Sequence, residues 1–219
     1  IMARSRRSGR EKHNPRTVGP GVARPEETTR ECGRQRVTIE SVSPQVEGGR
    51  FPVKRVFGES VAVRARVFAD GNDVLNAVVR FRTPGSECWQ EAPMRPTGND
   101  WWQGRFQVVA VGRHEYTVEA WIDHFATWQR DLRKRIEAGQ DVATDLMIGA
   151  ELVRAAVAAV PEDAKSLLEP WAAGLTDATD GDRQVAVAVS EELAVLMLKH
   201  GSRRFAARFE PAIVVTVDR

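Results

Sequence analysis

Carboxylate side chains are the groups of this chain most suited to acid–base or nucleophilic chemistry, and they stand out at three places. Asp70 and Asp73 flank a Gly-Asn pair, Asp123 ends a predicted strand, and Asp141 and Asp145 lie on a predicted helix. Catalysis by carboxylates needs an acid and a base or nucleophile that face one substrate. The segment that starts at Asp70 lacks the acidic residue that closes a calcium-binding loop, and its residue types favour a hairpin turn. We therefore predict neither a catalytic pair nor a calcium site here.

Histidine and cysteine residues do not have the spacing of a metal site or a nucleophilic site. The four histidines are His13, His114, His124 and His200. They show no His-x-x-x-His spacing and have no neighbouring cysteine, and no nucleophile-elbow, Walker or Rossmann motif is present. Two cysteines, Cys32 and Cys88, are too few for a zinc site and are predicted to be reduced thiols. The sequence thus predicts no catalytic residue, no metal and no cofactor.

Tryptophan is the enriched residue type, and exposed indole rings can serve as stacking platforms for sugars or as contacts with other protein surfaces. Adjacent Trp101 and Trp102 must point to opposite faces of a strand, and Trp102 is in phase with the apolar Phe106. Trp101 is therefore predicted to face outward, as is Trp121, whereas Trp128 lies at a strand-to-helix junction. We interpret Trp101, Trp121 and Trp128 as interface contacts, and a glucan-binding platform is the alternative.

The elements that position these residues begin with strands. From Val37 onward apolar and polar residues alternate, most clearly at Val61, Val63, Ala65 and Val67 against Ala62, Arg64, Arg66 and Phe68. Turn residues separate such runs at short intervals. This pattern is typical of an antiparallel β-sandwich, and its size suits an immunoglobulin or fibronectin-like fold.

Around Phe125 the apolar period changes from two to about 3.6 residues, which predicts helices. Four are expected, at about 125–138, 141–160, 161–174 and 179–200. Gly139 should end the first helix, Pro161 should stand in the first turn of the third, and a Thr179–Asp182 pair resembles the capping box of the fourth. Strand character then returns near Ile213.

The return of a strand after the helices decides the predicted architecture. A final strand needs a sheet to pair with, so a sandwich with a helical insertion is more economical than two domains in series. The predicted fold is mostly β plus α, an immunoglobulin or fibronectin-like β-sandwich with an inserted bundle of about four helices. Its predicted parts are a disordered basic lead at 1–35, the sandwich at 36–124 and 208–219, and the helical insertion at 125–207.

The basic lead carries the strongest charge asymmetry of the chain. Residues 1–36 contain ten Lys or Arg residues against four Asp or Glu residues and almost no large apolar residue. Such a segment buries too little surface to offset its ordering entropy, so we expect disorder. It has no aromatic residue for base stacking, and nucleic acid is not an expected partner. The sequence contains neither a signal peptide nor an apolar run that could span a membrane, so no membrane partner is expected and a cytoplasmic location is predicted.

Six sequence blocks, in this order and spacing, resemble the N-terminal region of α-1,4-glucan:maltose-1-phosphate maltosyltransferases, a family in the α-amylase superfamily. The blocks are Gly49–Arg55, Val67–Gly71, Asn99–Phe106, Tyr116–Asp123, Phe125–Trp128 and Ala138–Val142. The likeness extends over roughly 36–219 and leaves out the basic lead.

The resemblance implies a β-sandwich with an inserted helical bundle that forms much of a homodimer interface and packs against a catalytic barrel of the same parent chain. It implies a parent enzyme that transfers maltosyl units from maltose 1-phosphate to α-1,4-glucans with retention of configuration, in glycogen and α-glucan synthesis. The catalytic carboxylates of the family lie in that barrel, so no catalytic residue is transferred to this chain.

Two functions therefore remain open. The first is a non-catalytic scaffold and dimerisation part of such a transferase, and the strand that runs up to Arg219 leads us to expect a fragment of a longer chain. The second is a free-standing α-glucan-binding or protein-interaction module, which the outward-facing tryptophans suggest. Fold alone would not decide between them.

Overall fold

A computed structural model describes residues 36–177 and 179–219 of the chain. The predicted disordered basic lead at 1–35 lies outside the described residues. Within these ranges there are ten strands: β1 (Val37–Ser43), β2 (Val53–Val56), β3 (Ser60–Ala69), β4 (Leu75–Arg82), β5 (Gln90–Pro93), β6 (Arg95–Gly98), β7 (Trp101–Gln107), β8 (Gly112–Ile122), β9 (Ala207–Arg208) and β10 (Ile213–Asp218).

The strands form two facing sheets. One has the order β1-β3-β7-β6, and the other has the order β2-β10-β8-β4-β5, with β9 paired to β8. All pairings except the parallel β2–β10 pair are antiparallel. The predicted combination of a sandwich with helices is confirmed, whereas the immunoglobulin or fibronectin-like topology stays a prediction.

The sandwich core follows from the period-two pattern. Along β3, Val61, Val63 and Ala65 have no exposed surface, while the intervening Ala62 and Arg64 are exposed. From β8, Tyr116, Val118 and Ala120 enter the same core, because successive side chains of a strand point to opposite faces. The inner faces of both sheets are therefore apolar.

The predicted hairpin at Asp70–Asp73 is wrong in one respect. Its residues do turn the chain, and Gly71 adopts a positive φ of 99°. The flanking strands nevertheless do not pair with each other, because β3 pairs with β1 and β7 whereas β4 pairs with β5 and β8. The segment is thus a crossover between the two sheets, which the local residue types could not distinguish from a hairpin.

Among the described residues between β8 and β9 there are five helices, where about four were predicted: α1 (His124–Glu137), α2 (Ala143–Ala159), α3 (Glu162–Thr176), α4 (Gly181–Ala188) and α5 (Glu191–His200). The predicted fourth helix is divided at Ser190, whose hydroxyl accepts a hydrogen bond from the Leu193 amide and caps α5. At the start of α4 the cap is Asp180, not the predicted Thr179. Gly139 has the expected positive φ just after α1.

The helices enclose a second core, separate from that of the sandwich. Leu132, Val153, Leu168 and Leu193 each have at most 1% of their surface exposed and belong to one cluster. The chain therefore leaves the sandwich core after β8 to build a separate helical core. None of the helices in the described ranges has the length and apolar character needed to cross a bilayer.

The chain returns to the strand from which it left. β8 leads directly into α1, and after α5 the short β9 pairs with β8 through Ala207 opposite Ala120 and Arg208 opposite Glu119. β10 then pairs with the first half of β8 and with β2. The predicted pairing of the last strand with the sandwich is confirmed, and the domain boundaries at 36–124, 125–207 and 208–219 stay predictions.

Candidate functional site

Four of the five carboxylates considered for chemistry, those of Asp73, Asp123, Asp141 and Asp145, serve a local structural role. Asp123 caps α1 by accepting a hydrogen bond from the Ala126 amide at 2.8 Å, and it also accepts one from the Asn76 side chain at 2.7 Å. Asp145 pairs with Arg135 at 2.9 Å. These contacts satisfy both carboxylates and hold them at the starts of α1 and α2.

The carboxylates of Asp141 and Asp73 also have local partners. Asp141 accepts a hydrogen bond from the Ala143 amide at 3.0 Å, just before α2. Asp73 is bonded to Arg36, which also donates to the Asp70 carbonyl at 3.1 Å. In the part of the chain that the structure describes, no three His, Cys, Asp or Glu residues come together as a metal site.

Trp128 lies inside the helical core rather than at its junction with the sandwich. Its exposed fraction is 8%, and its indole N–H donates to the Asp145 carbonyl at 2.8 Å. The ring also contacts Phe125, with 5.1 Å between ring centroids, and it lies directly over Gly149 of α2. Trp128 thus joins α1 to α2.

Trp121 is on the outer face of the six-stranded sheet, as its phase in β8 predicted, but that position is covered. Only 4% of it is exposed, and the Arg203 guanidinium lies 4.0 Å from the centroid of the ring. A cation over an indole face is a favourable contact, and more so where water is excluded. The segment between α5 and β9 therefore covers Trp121 and makes its ring inaccessible to a ligand.

Glu119 lies beside Trp121 on the same outer face and binds three arginines. Its carboxylate accepts hydrogen bonds from Arg80 at 2.8 Å and Arg208 at 2.7 Å, and Arg203 is 3.6 Å away. Burial by itself would raise the pKa of Glu119, but the hydrogen bonds from Arg208 and Arg80 outweigh it, so the pKa is below its usual value.

The Glu119 cluster connects the helical insertion to the sandwich through charge. Arg203 also holds Glu91 of β5 with both carboxylate oxygens at 2.9 Å. Sequence reasoning missed this cluster, although a signal existed, because three arginines follow α5 in a segment that must return to the sheet. The cluster also contains Arg80, Glu91 and Glu119, which lie on three different strands. Local periodicity does not indicate which residues of distant strands are neighbours.

Trp101 differs from the other two candidate tryptophans because it remains partly exposed. Trp102 points into the core with 7% exposure, and Trp101 points outward, as their adjacency predicted. Trp101 lies on the outer face of the four-stranded sheet. The Arg64 guanidinium of β3 lies 4.9 Å from the centroid of its ring. On the other flank its register partner is Gly98 of β6, and the space where a Cβ of Gly98 would be is open.

Polar side chains surround Trp101 in register. Gln103 lies between Arg64 on β3 and Arg95 on β6, and Arg105 follows on the same face of β7. A groove of about 570 Å³ opens along this edge of β7. The residues that line it are Pro93, Arg95, Pro96, Thr97, Gln103, Gly104 and Arg105. We call Trp101 with Arg64, Gln103, Arg95 and Arg105 the Trp101 face.

A second accessible surface is apolar and lies at one end of the sandwich. Val56, Phe57, Val109 and Val111 expose between 48% and 59% of their surfaces. The turns that carry them are joined by backbone hydrogen bonds, with the Gly58 amide 2.8 Å from the Val108 carbonyl. Isolated apolar residues are common on surfaces, but a cluster of four indicates a contact site.

The fold is that of a mixed β-sandwich domain that carries a helical insertion within its larger sheet. Residues 35–219 match the family model of α-1,4-glucan:maltose-1-phosphate maltosyltransferase, domain N/S. The chain therefore belongs to this family, and the resemblance drawn from the sequence blocks is confirmed.

Relatives with this enzyme name support the assignment. The protein of Chlorobaculum tepidum is 39% identical over 187 residues, which cover 85% of this chain and 28% of the relative. That of Myxococcus xanthus is 44% identical over 192 residues, 84% of this chain and 29% of the relative. That of Burkholderia pseudomallei is 37% identical over 188 residues, 84% of this chain and 16% of the relative. The chain thus spans less than a third of the length of these curated relatives.

Proposed function

We propose that this chain is a non-catalytic scaffold and dimerisation part of a maltosyltransferase. The enzyme would transfer maltosyl units from maltose 1-phosphate to α-1,4-glucans in cytoplasmic glycogen or α-glucan synthesis. The observation that carries the non-catalytic role is the use of four candidate carboxylates in local contacts. Asp123 and Asp141 accept hydrogen bonds from amides at helix starts, and Asp73 and Asp145 pair with arginines. The relatives extend far beyond the matched segment, which leaves room in them for a catalytic domain.

The apolar end of the sandwich supports docking on a catalytic barrel of the same parent chain. Phe57 and Val109 are more than half exposed there, next to the last residues of β10, since the Phe57 amide donates to the Asp218 carbonyl at 2.9 Å. Covering four such side chains would contribute several kcal/mol at ~25 cal/mol per Å² of apolar surface. This end is the surface that we assign to the barrel.

The helices supply the surface that we assign to the homodimer. Met147 is 70% exposed and Ile148 is 49% exposed on α2. Both line a groove of about 590 Å³ together with residues of α3 and α4. Methionine packs well in irregular apolar contacts, so a second copy could fill this groove with little loss of complementarity.

Two measurements on the 219-residue chain test this proposal. Incubation with maltose 1-phosphate and a maltooligosaccharide should release no phosphate above the buffer rate, and a measurable turnover would overturn the non-catalytic role. Light scattering should give a dimer that Met147→Lys converts to monomer, while Ala186→Lys on exposed α4 leaves it intact. A monomeric wild-type chain at high concentration would overturn the dimerisation role.

A second function is favoured by one observation, the partial exposure of Trp101 with an open flank at Gly98. A module that binds α-glucan without catalysis would need such a ring, and the chain would then act as a binding domain in its own right. The two functions are compatible within one enzyme, because a scaffold can also hold the acceptor polymer.

A further inference from the structure

We propose that the Trp101 face is an accessory binding site for α-glucan chains. A glucose ring would stack at Trp101 from the β6 side, and the neighbouring saccharide units would lie along the groove at the edge of β7. The ligand class rests on the proposed function, because the relatives named above are transferases of α-1,4-glucan. The location and the contacts rest on the geometry of this chain.

Accessibility separates Trp101 from the other two candidate tryptophans, Trp121 and Trp128. Arg203 covers Trp121, and Trp128 is enclosed between α1 and α2, so neither ring can meet a polymer in solution. Trp101 has Arg64 on its β3 side, and on its β6 side the register partner is Gly98, with no atom within 4 Å of the position that a Gly98 Cβ would take. A flat, rigid ring with one open flank binds the apolar face of a sugar at little cost in conformational entropy.

Polar groups that suit vicinal hydroxyls follow Trp101 on the same face of the sheet. Gln103 offers an amide donor and an acceptor, and the guanidinium groups of Arg95 and Arg105 offer planar sets of donors. Planar forks of this kind match the two oxygens of a diol as they match a carboxylate. The groove beside them has about 570 Å³, within the range of small-ligand sites.

Two carboxylates lie among the arginines on this face of the sheet. Glu40 lies opposite Arg66 in the register of β1 and β3, and Asp100 lies 3.8 Å from Arg66. A polyphosphate or nucleic acid laid across this face would meet both carboxylates. These carboxylates would repel a polyanion but not a neutral glucan, whose hydroxyls can accept hydrogen bonds from the arginines and donate them to Gln103.

Such a site would act by holding the polymer close to the enzyme. A second, weak contact with one chain raises the effective concentration of its other segments near any active site on the same protein. The benefit should therefore appear with long glucans and be absent with maltose, which is too short to reach from one site to another.

The test is a calorimetric titration of the 219-residue chain with maltoheptaose at 0.15 M salt, alongside inorganic polyphosphate. We expect maltoheptaose to bind with Kd on the order of 1 mM, about −4 kcal/mol, and Trp101→Ala to weaken it at least tenfold. Trp89→Ala is the matched control, because Trp89 is also partly exposed and lies 4.9 Å from an arginine, Arg82, but on the other sheet. It should leave Kd unchanged.

Arg95→Ala and Gln103→Ala keep the proposal testable if Trp101→Ala fails to fold, because both residues are at the surface and each change should weaken binding severalfold. Absence of heat with maltoheptaose, or equal weakening by Trp89→Ala, would refute the site. If polyphosphate binds in a salt-sensitive way and maltoheptaose does not bind, the ligand of this face is a polyanion and the glucan assignment is wrong. None of these results changes the phosphate-release or dimer measurements, so failure of this site and failure of the scaffold role can be told apart.

Discussion

Replacement of Gly149 by alanine should destabilise the helical core, although helix propensity predicts the opposite. Gly149 is in the middle of α2, where alanine is normally favoured over glycine by about 1 kcal/mol. A Cβ at this position would lie 2.0 Å from Cζ2 of Trp128 and 2.4 Å from its Cη2. Ordinary contact begins at 3.4 Å, so the ring or the helix must move by about 1.4 Å.

The structure sets the size of the expected loss. Forced repacking of a filled core costs about 1–3 kcal/mol, and a shift of the indole would also strain the hydrogen bond from its N–H to the Asp145 carbonyl. Loss of that bond would leave a buried donor unsatisfied, at a further ~1–3 kcal/mol. After the ~1 kcal/mol gain in propensity, Gly149→Ala should cost about 1–5 kcal/mol.

Urea unfolding followed by the helical signal in circular dichroism measures this cost. Gly181→Ala is the matched control, since Gly181 starts α4 and no atom lies within 4 Å of the Cβ position. That control should be neutral or stabilising by up to ~1 kcal/mol. In a Trp128→Phe background the shorter ring should remove most of the Gly149→Ala cost, which a double-mutant cycle would show. If Gly149→Ala stabilises the chain as Gly181→Ala does, the packing argument is wrong.

Three further predictions concern the sandwich. Trp102→Ala should cost ~3–5 kcal/mol as a large-to-small core change, and Trp101→Ala much less, so equal costs in denaturant melts would contradict the assigned faces. His114 is fully buried, and burial lowers its pKa in the folded chain. As the pH falls below about 6.5, the His114 imidazole is protonated more readily in the unfolded chain than in the folded one, so stability should decrease. His114→Leu should reduce that slope in melts between pH 7 and 5, and an unchanged slope would exclude His114 as its source. The pKa of Glu119 is lowered in the folded chain, so Glu119 adds stability at pH values above its ordinary pKa, and this stability is lost as the pH falls through the acid range. Glu119→Gln should therefore flatten the acid side of the curve of stability against pH. An identical acid side would show that the Glu119 cluster contributes nothing to stability.

The strands and most helix ends could be predicted from the sequence because their signals are local. Alternation along β3 separates Val61 from Arg64, and Gly139 ends α1 where a positive φ is needed. The break at Ser190 was also readable, since a serine followed by two glutamates is a helix start. The break was missed because the apolar residues of α4 and α5 continue with a period of about 3.6 residues, as they would in a single helix.

The candidate site was less predictable because its accessibility depends on distant residues. Trp101 and Trp121 have the same outward phase in their strands, yet Arg203 covers one and Gly98 leaves the other open. Neither neighbour follows from periodicity. Trp128 posed the same difficulty, since its contact with Gly149 depends on how α1 and α2 cross.

The pairing of β2 has a consequence for synthesis on the ribosome. β2 pairs with β10 and with no other strand among the described residues, and β10 follows the whole helical insertion. At ~5–20 residues per second, translation of 123–206 takes roughly 4–17 s. For that interval the edge of β8 that later binds β9 and β10 is unpaired, and an unpaired strand edge is a template for association with other chains. A nascent chain of this domain should therefore need shielding by a chaperone during this interval, until β10 leaves the exit tunnel.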